Sequence, residues 1–208
     1  MNEQGTPEWH AERCGKVTAS RIADVMAKTK SGPGAARKNY MAELLTERLT
    51  GQPRESFTSS AMQWGTDTEP QARAMYALEY NVDVVEVGFV PHPDLAKAGA
   101  SPDGLVYDDG LVEIKCPNTA THIETLRTEK IDRRYILQMN WQMICTGREW
   151  CDFVSFDPRL PDAMQMFVKT VLLDGDLSVE INQSVADFLA ELDAMESEMR
   201  QKFNLEEF

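Results

Sequence analysis

The spacing of apolar residues changes from a helical to a strand period near residue 82, and this change limits the fold more than any other feature. Before it, "KNYMAELLTERLTG" places apolar residues at helical intervals with Gly51 as a stop, and a second helix is predicted over roughly "SAMQWGTDTEPQARAMYALEY", with Asn81 as its stop. After it, "VDVVEVGFV" and "LVEIKCP" are rich in β-branched residues and read as strands, the second ended by Pro117. The sequence therefore predicts a fold that combines helices with a sheet.

The same criteria place the remaining elements. "RRYILQMNWQMICTG" predicts a helix that ends at Gly147, "EWCDFVSFD" and "AMQMFVKTVLL" predict strands, and residues 176–203 predict a long amphipathic helix. "VTASRIADVMAK" predicts a short helix with Thr18 or Ser20 as its N-cap. Pro70 is expected in the first turn of a helical part that restarts there. We predict an α/β or α+β fold with a central mixed β-sheet flanked by helices, in a single domain over residues 1–208.

Composition and charge exclude several classes of protein. Hydrophobic residues make up 42% of the 208 residues, which suits a globular domain with a substantial core. No apolar run approaches the ~20 residues of a membrane span, and the polar start "MNEQGTPEWH" lacks a secretory signal, so we expect a cytosolic protein with no membrane partner. The four cysteines form no CxxC pair, and we expect them to be reduced thiols.

Nucleic-acid binding by charge alone is not expected, because the formal net charge is -13. Basic residues are nevertheless concentrated between residues 13 and 54, whereas the chain from Asp187 onward is mostly acidic. The sequence therefore allows a local basic surface within an acidic exterior.

"SPDGLVYDDGLVEIKCP" carries the strongest chemical signal. Glu113 and Lys115 are two apart on a predicted strand and share a face, while Ile114 points the other way. If Asp103 lies beside that strand, two carboxylates converge, as oxygen ligands of a magnesium ion must. The alternative is a β-turn at "SPDG" followed by a surface hairpin, but the apolar residues around Glu113 favour a functional pair over a solvated face.

"SPDG…LVEIKCP" resembles the motif of the PD-(D/E)xK nucleases and, within them, of the phage lambda-type exonucleases, or viral recombinases. Further stretches are similar to the same family in the same order: "WHAERCGKVTASRIADVM", "AMQWGTDTEPQARAMYALEYNVDV", "YILQMNWQMICTG" and "FVSFDPR". The resemblance spans roughly residues 9 to 159. It implies a restriction-endonuclease-like core.

The resemblance also implies the roles of individual residues. Asp103, Glu113 and the backbone carbonyl of Ile114 would bind two catalytic Mg²⁺ ions, with Mn²⁺ as an alternative metal. Glu69 would lie close to the second metal as a further acidic ligand. Lys115 would position the attacking water, an arrangement in which the metal activates the water and the cation offsets developing charge. Gln138 would lie close to Lys115 as a supporting polar group of the catalytic site.

A pocket for the terminal 5′-phosphate of DNA is the second implied site. Arg13, Ser20 and Ser101 would form it, since an arginine fork with hydroxyl donors suits a phosphate monoester. Met62 would be an apolar wedge that helps to separate the last base pair. The alternatives are a solvated cation for Arg13, an N-cap for Ser20 and a core position for Met62. The chain departs from the family pattern after "EIK", where no basic residue occurs before Arg127.

Together these features lead to the expected function. The resemblance implies a Mg²⁺-dependent 5′ to 3′ exonuclease on linear double-stranded DNA that releases 5′-mononucleotides and leaves a 3′ single-stranded overhang for recombination by strand annealing. It also implies a ring-shaped homotrimer, a single-strand annealing recombinase as partner, and a bacterial host cytoplasm with a phage or prophage origin. The alternatives are an endonuclease of the same fold and a noncatalytic DNA-end-binding module.

Overall fold

The central sheet has five strands in the order β10-β9-β8-β7-β4, and only its β8–β9 pair is parallel. A computed structural model describes residues 2–30, 32–53 and 59–205, so Arg54 of the basic segment lies outside the described residues. The described strands are Val17–Thr18 (β1), Lys28–Thr29 (β2), Gly32–Pro33 (β3), Val84–Val85 (β4), Val90–Pro91 (β5), Ala98–Ala100 (β6), Gly104–Val106 (β7), Gly110–Lys115 (β8), Trp150–Phe156 (β9) and Met166–Leu172 (β10). β1, β6 and β5 form a smaller sheet, and β2 pairs with β3.

Helices cover both faces of the central sheet, and they confirm the predicted mixed α/β architecture. They are Pro7–Arg13 (α1), Ile22–Val25 (α2), Ala35–Thr50 (α3), Ser60–Tyr80 (α4), Thr119–Thr128 (α5), Arg133–Thr146 (α6) and Gly175–Phe203 (α7), with 3-10 turns at Ala19–Arg21 and Asp162–Met164. One face of β8 packs through Val112 and Ile114 against Ala72 and Tyr76 of α4. The opposite face meets α6, which is therefore the element nearest to the odd-numbered side chains of β8.

A further core joins α2, α3, α6 and α7 behind the smaller sheet. Ile22, Trp141 and Phe188 are among its large, fully buried side chains, and Tyr40 of α3 stacks on Phe188 with ring centroids 5.6 Å apart. The predicted helix ends at Gly51 and Gly147 are confirmed, because both residues adopt the left-handed backbone conformation that ends a helix.

Three sequence predictions of secondary structure were wrong in detail. "VDVVEVGFV" is two short strands, because β4 pairs with β7 while β5 joins β6 in the other sheet. Between them, the carbonyl of Val87 accepts a hydrogen bond from Gln4 instead of a strand partner. "VTASRIADVMAK" begins as a strand, since Val17 pairs with Ala98, and only one α-helical turn follows.

The third difference is at Pro70: the helix predicted over "SAMQWGTDTEPQARAMYALEY" is confirmed as α4, but it continues through Pro70 without the expected restart. A proline inside a helix removes one backbone hydrogen bond and costs about 3 kcal/mol. Contacts of α4 before and after Pro70 offset this cost. Before it, the guanidinium of Arg159 lies 4.2 Å from the ring centroid of Trp64, and after it, Tyr76 is buried against the sheet. The α4 axis is thus fixed at both ends.

The described helices include none that is long and apolar enough to span a membrane. All four cysteines are free thiols, as predicted. Two helices, α1 and α5, were not predicted, and both begin at a side-chain cap, from Thr6 and Asn118 respectively.

We expect Tyr76→Phe to lower the free energy of unfolding by about 1.5–3 kcal/mol, the range for a hydrogen bond to a charged group. The Tyr76 hydroxyl donates to the buried Asp152 carboxylate at 2.6 Å, and Thr170 donates to its other oxygen. Urea denaturation measures the change. Tyr80→Phe is the matched control, because Tyr80 stacks on Tyr76 but is 46% exposed; its effect should stay within about 0.5 kcal/mol. Equal losses in the two variants would contradict the assignment.

Candidate active site

Glu113 is the centre of the candidate site, and it is a fully buried carboxylate. Gln138 and Gln142 of α6 each donate an amide hydrogen bond of 2.6 Å, Gln138 to Oε1 and Gln142 to Oε2. The ammonium of Lys115 also contacts Oε1. Strand alternation accounts for this set, since Glu113 and Lys115 both point to the face of β8 that α6 covers.

Asp103 lies beside the same strand, at the point where β7 and β8 diverge. The last pair between the two strands is Gly104 with Val112, and beyond it the Ile114 N–H donates to Oδ2 of Asp103 at 2.7 Å. The N–H and C=O of a strand residue point to the same side. The Ile114 carbonyl is therefore directed toward the side on which Asp103 lies, as a shared ligand set requires.

The turn of this hairpin is not where the sequence suggested. Gly104 is the first residue of β7, and a side chain there would collide with Val84 on β4. The chain reverses between β7 and β8 at residues 107–109, where Tyr107 has a φ of 49°. The β-turn alternative for "SPDG" is thus wrong, and Asp103 is the residue immediately before β7.

Glu69 reaches the same group of charges from α4. Its carboxylate forms an ion pair of 2.6 Å with Arg73, one helical turn along. Burial raises the pKa of Glu69, Arg73 lowers it, and Glu113 raises it again. The structure therefore brings together Asp103, Glu113, Lys115 and Gln138 with Glu69 close enough for electrostatic interaction.

The electrostatics of the site are those of crowded carboxylates. Burial raises the pKa of Asp103 well above its ordinary value, and the charge of Glu113 raises it further. Burial alone would lower the pKa of Lys115, but Glu113 and Asp103 outweigh it and hold the ammonium protonated. A divalent cation would relieve the repulsion among these carboxylates.

The donor set fits a hard cation such as Mg²⁺, which takes oxygen ligands from one or two carboxylates and keeps several waters. The oxygen donors lie near the C-terminal end of β8 and belong to Asp103, Glu113 and the Ile114 carbonyl. Among residues 2–30, 32–53 and 59–205, no three His, Cys, Asp or Glu side chains form a closed metal cage. The protein donors that fit are therefore two carboxylates and a backbone carbonyl, with waters or substrate completing the shell.

A cavity of about 550 Å³ is lined by three of the other predicted site residues, Arg13, Ser20 and Met62. It is lined by Trp9, His10, Arg13, Cys14, Lys16, Thr18, Ser20, Arg21, Tyr40, Glu43, Leu44, Glu47, Pro53 and Met62. Ser20 is exposed, and Met62 is 55% exposed, so the core alternative for Met62 is wrong. The N-cap alternative for Ser20 is also wrong, because α2 begins at Ile22 after Arg21.

Arg13 is one of three cationic residues, with Lys16 and Arg21, that line this cavity. Its guanidinium lies 3.8 Å from the ring centroid of Trp9, and no described carboxylate forms a salt bridge with it. Burial lowers the pKa of Arg13 to about 10, against the opposing effects of Tyr40 and Glu47. A partly buried, unpaired guanidinium is suited to an anionic ligand.

Ser101 does not line the cavity, but Trp9 connects it to Arg13. The indole Nε1 of Trp9 donates to the Ser101 hydroxyl at 3.0 Å while its ring supports the guanidinium. Ser101 is in turn only two residues from Asp103. Trp9 and Ser101 thus connect the predicted phosphate residues to the segment that carries Asp103.

The model of the YqaJ-like viral recombinase domain matches residues 8–149, which include Arg13, Asp103, Glu113 and both glutamines of α6. The chain belongs to the YqaJ-like viral recombinase family. This finding confirms the resemblance seen in the sequence.

Solved structures agree with the family assignment. LHK-Exo, an alkaline exonuclease from Laribacter hongkongensis, is 55% identical, with a TM-score of 0.90 over 96% of this chain and 98% of that chain; one of its structures is a complex with dAMP. A phage related exonuclease from Haemophilus somnus 129PT shares the fold at 17% identity, with a TM-score of 0.72 over 88% of this chain and 96% of that chain. Comparison with curated proteins gave no match.

We expect Asp103→Asn to raise the melting temperature of the protein in EDTA by a few degrees at pH 8, because the amide cannot ionise and the Ile114 hydrogen bond can be kept. The difference from the parent should be small at pH 4 and widen as pH rises. The pKa of Asp103 is raised in the folded state, so the unfolded parent releases this proton first and its stability falls with pH.

Asp108→Asn is the matched control for that experiment. Asp108 is exposed on the turn of the same hairpin, and its replacement changes the net charge equally. Thermal unfolding from pH 4 to pH 9 would contradict the interpretation if both variants gave the same pH-dependent difference.

Proposed function

We propose that the protein is a Mg²⁺-dependent exonuclease that digests the 5′-ended strand of linear double-stranded DNA, releases 5′-mononucleotides and leaves a 3′ overhang. The observation that carries this proposal is the link between two features: Trp9 stacks on Arg13, which has no salt bridge among the described residues, and bonds Ser101, two residues from Asp103 in the Asp103, Glu113 and Lys115 group. The 55% identity to an alkaline exonuclease, over nearly all of both chains, supports an exonuclease. The complex of that relative with dAMP is compatible with a mononucleotide product.

The chemistry of the carboxylate site is phosphodiester hydrolysis. Asp103, Glu113 and the Ile114 carbonyl would hold the metal ions, which supply water activation and neutralise charge on the phosphate. Lys115 remains protonated, and its ammonium is fixed by Glu113, with the ring centroid of Tyr135 5.3 Å away. We assign to Lys115 the orientation of the attacking water and the stabilisation of developing negative charge.

The chemistry of the Arg13 cavity is recognition of a chain end. A 5′-phosphate carries more charge than an internal phosphodiester, so a guanidinium with hydroxyl donors can distinguish the two. Ser20 and Ser101 supply those hydroxyls. Met62 projects into the same cavity and is placed to separate the terminal base pair.

The proposal extends to assembly and partners. We propose that the protein acts as a ring-shaped homotrimer in a bacterial cytoplasm and hands its 3′ overhang to a single-strand annealing recombinase. Family membership supports these assignments. The net charge of -13, with cations collected around the Arg13 cavity, suits an acidic particle that binds DNA on a restricted inner track. Light scattering after gel filtration gives the subunit number.

We expect Asp103→Ala and Glu113→Ala each to reduce DNA cleavage to the background rate, because each removes a metal ligand. The measurement is the release of acid-soluble nucleotide from linear duplex DNA with Mg²⁺. Circular dichroism checks that the variants are folded. A rate near that of the parent in either variant would contradict the site.

We expect the parent to digest 5′-phosphorylated linear duplex fastest, the 5′-hydroxyl form more slowly and a closed circle not at all. Arg13→Ala should reduce the preference for the phosphorylated end by 10-fold or more, on the order of the 1.5–3 kcal/mol of a charged hydrogen bond. Arg127→Ala is the control, since Arg127 is 70% exposed in its side chain and pairs with Glu124. Cleavage of the circle would instead indicate an endonuclease, and no cleavage of any substrate would favour a DNA-end-binding module.

A further inference from the structure

Gln142 of α6 is a polar residue in the centre of the molecule that the sequence did not single out. Its side chain is fully buried, and its Nε2 donates to Oε2 of Glu113 at 2.6 Å. Its Oε1 is also buried and has no hydrogen-bond partner among the residues that the structure describes. An unsatisfied buried carbonyl is destabilising, so packing alone does not account for an amide at this position.

The orientation of this amide is fixed by the carboxylate that it faces. Exchanging Oε1 and Nε2 of Gln142 would bring a carbonyl oxygen against Oε2 of Glu113 and leave two N–H donors at the buried position that lacks an acceptor. Two oxygens in contact repel, whereas the observed arrangement gives a charge-assisted hydrogen bond. The unsatisfied oxygen is therefore the cost of directing a donor at Glu113.

Gln138 donates a second amide hydrogen bond to the same carboxylate. It lies one helical turn before Gln142, so both side chains emerge on one face of α6. Gln138 donates to Oε1 and Gln142 to Oε2, each at 2.6 Å. Two donors on a single helix thus fix both oxygens of one carboxylate and prevent its rotation.

The two carboxylate oxygens are not equally occupied. Oε1 accepts from Gln138 and also contacts the ammonium of Lys115, whereas Oε2 accepts only from Gln142. An ionised carboxylate has about four lone-pair sites, two on each oxygen. Within the described residues, the unoccupied lone pair of Glu113 is therefore on Oε2.

We propose that Gln142 is a positioning residue, which fixes the carboxylate of Glu113 so that the remaining lone pair of Oε2 is presented to the divalent cation. The inference rests on the proposed metal-dependent function, because it concerns the same site. Without the Gln142 donor, Gln138 is the one described amide that still bonds the Glu113 carboxylate, through Oε1. The carboxylate can then rotate, and Oε2 is no longer held in place. A metal ligand without its hydrogen-bond partner typically binds its metal 10–100-fold more weakly.

The variant for the test is Gln142→Met, which keeps the length and approximate volume of the side chain and removes the donor. We expect Mn²⁺ binding to the full-length protein, measured without DNA by titration with electron paramagnetic resonance, to weaken by roughly 10–100-fold. The kcat for duplex DNA at limiting Mg²⁺ should fall by a similar factor, while KM for DNA stays within about twofold, because the amide lies away from the DNA-binding cavity. Higher Mg²⁺ should restore part of the rate.

Gln142→Asn is a second variant that keeps the amide but withdraws it by one methylene from Glu113. It should also weaken Mn²⁺ binding, and it keeps the test informative if the methionine variant fails to fold. The matched control is Asn140→Leu, which removes an equally buried amide from the same helix. Asn140 bonds the backbone of Ile136 and Asp174 rather than Glu113, so its loss should lower the melting temperature without weakening Mn²⁺ binding.

Three results would overturn the inference. The first is unchanged Mn²⁺ affinity in both folded Gln142 variants. The second is an equal loss of affinity in Asn140→Leu, which would make the effect a general disturbance of α6. The third is a parent protein that neither binds Mn²⁺ nor degrades DNA, which overturns the proposed function as well; a parent that does both separates the two failures.

Discussion

The structure is built around a carboxylate that has no access to solvent. Glu113 is on the middle strand of a five-stranded sheet, and both faces of that strand are covered by helices. A charge in such a place is tolerated only when hydrogen bonds and an opposite charge compensate its lost hydration. Gln138, Gln142 and Lys115 provide that compensation, and their positions require α6 to lie in one register against β8.

Folding and function therefore make opposite demands on the same residues. Asp103 and Glu69 have raised pKa values because burial and neighbouring carboxylates disfavour their charged forms. An apolar side chain at either position would remove the repulsion but also the oxygen donor. Stability comes from elsewhere, above all from the core of Ile22, Trp141 and Phe188 behind the smaller sheet. A scaffold of this kind can keep crowded carboxylates in a fixed geometry.

Sequence reasoning reached the fold class and the carboxylates because both follow from local patterns. Alternation puts Glu113 and Lys115 on one face, and helix stops at Gly51 and Gly147 are chemical signals in the sequence. The sequence-based prediction was wrong where a strand pairs with a segment that is distant in the sequence. The stretch after Asn81 divides between two sheets, and nothing in its own composition indicates which strand each half will meet.

Gln142 was missed for a related reason. "QMNWQ" places three amides in a helix whose other buried residues are apolar, and three buried polar residues on one helix are an unusual signal. The pattern shows that these amides need partners, but only the register of α6 on β8 shows that two of them share Glu113 while Asn140 turns away to α7. Helix α5 was missed because its apolar content is low and its start depends on one cap from Asn118.

The proposed product length follows from the distance between the two sites. Ser101 and Asp103 are two residues apart, so their Cα atoms lie no more than about 7 Å from each other. Adjacent nucleotides in a B-form strand are separated by about 3.4 Å along the axis, and further when unstacked. A terminal phosphate bound by Ser101 and Arg13 would thus leave space for one or two nucleotides before the phosphodiester at Asp103. In the proposed reaction, this short spacing excludes longer products and is compatible with the proposed mononucleotide, and each cleavage presents a new 5′-phosphate to the same cavity.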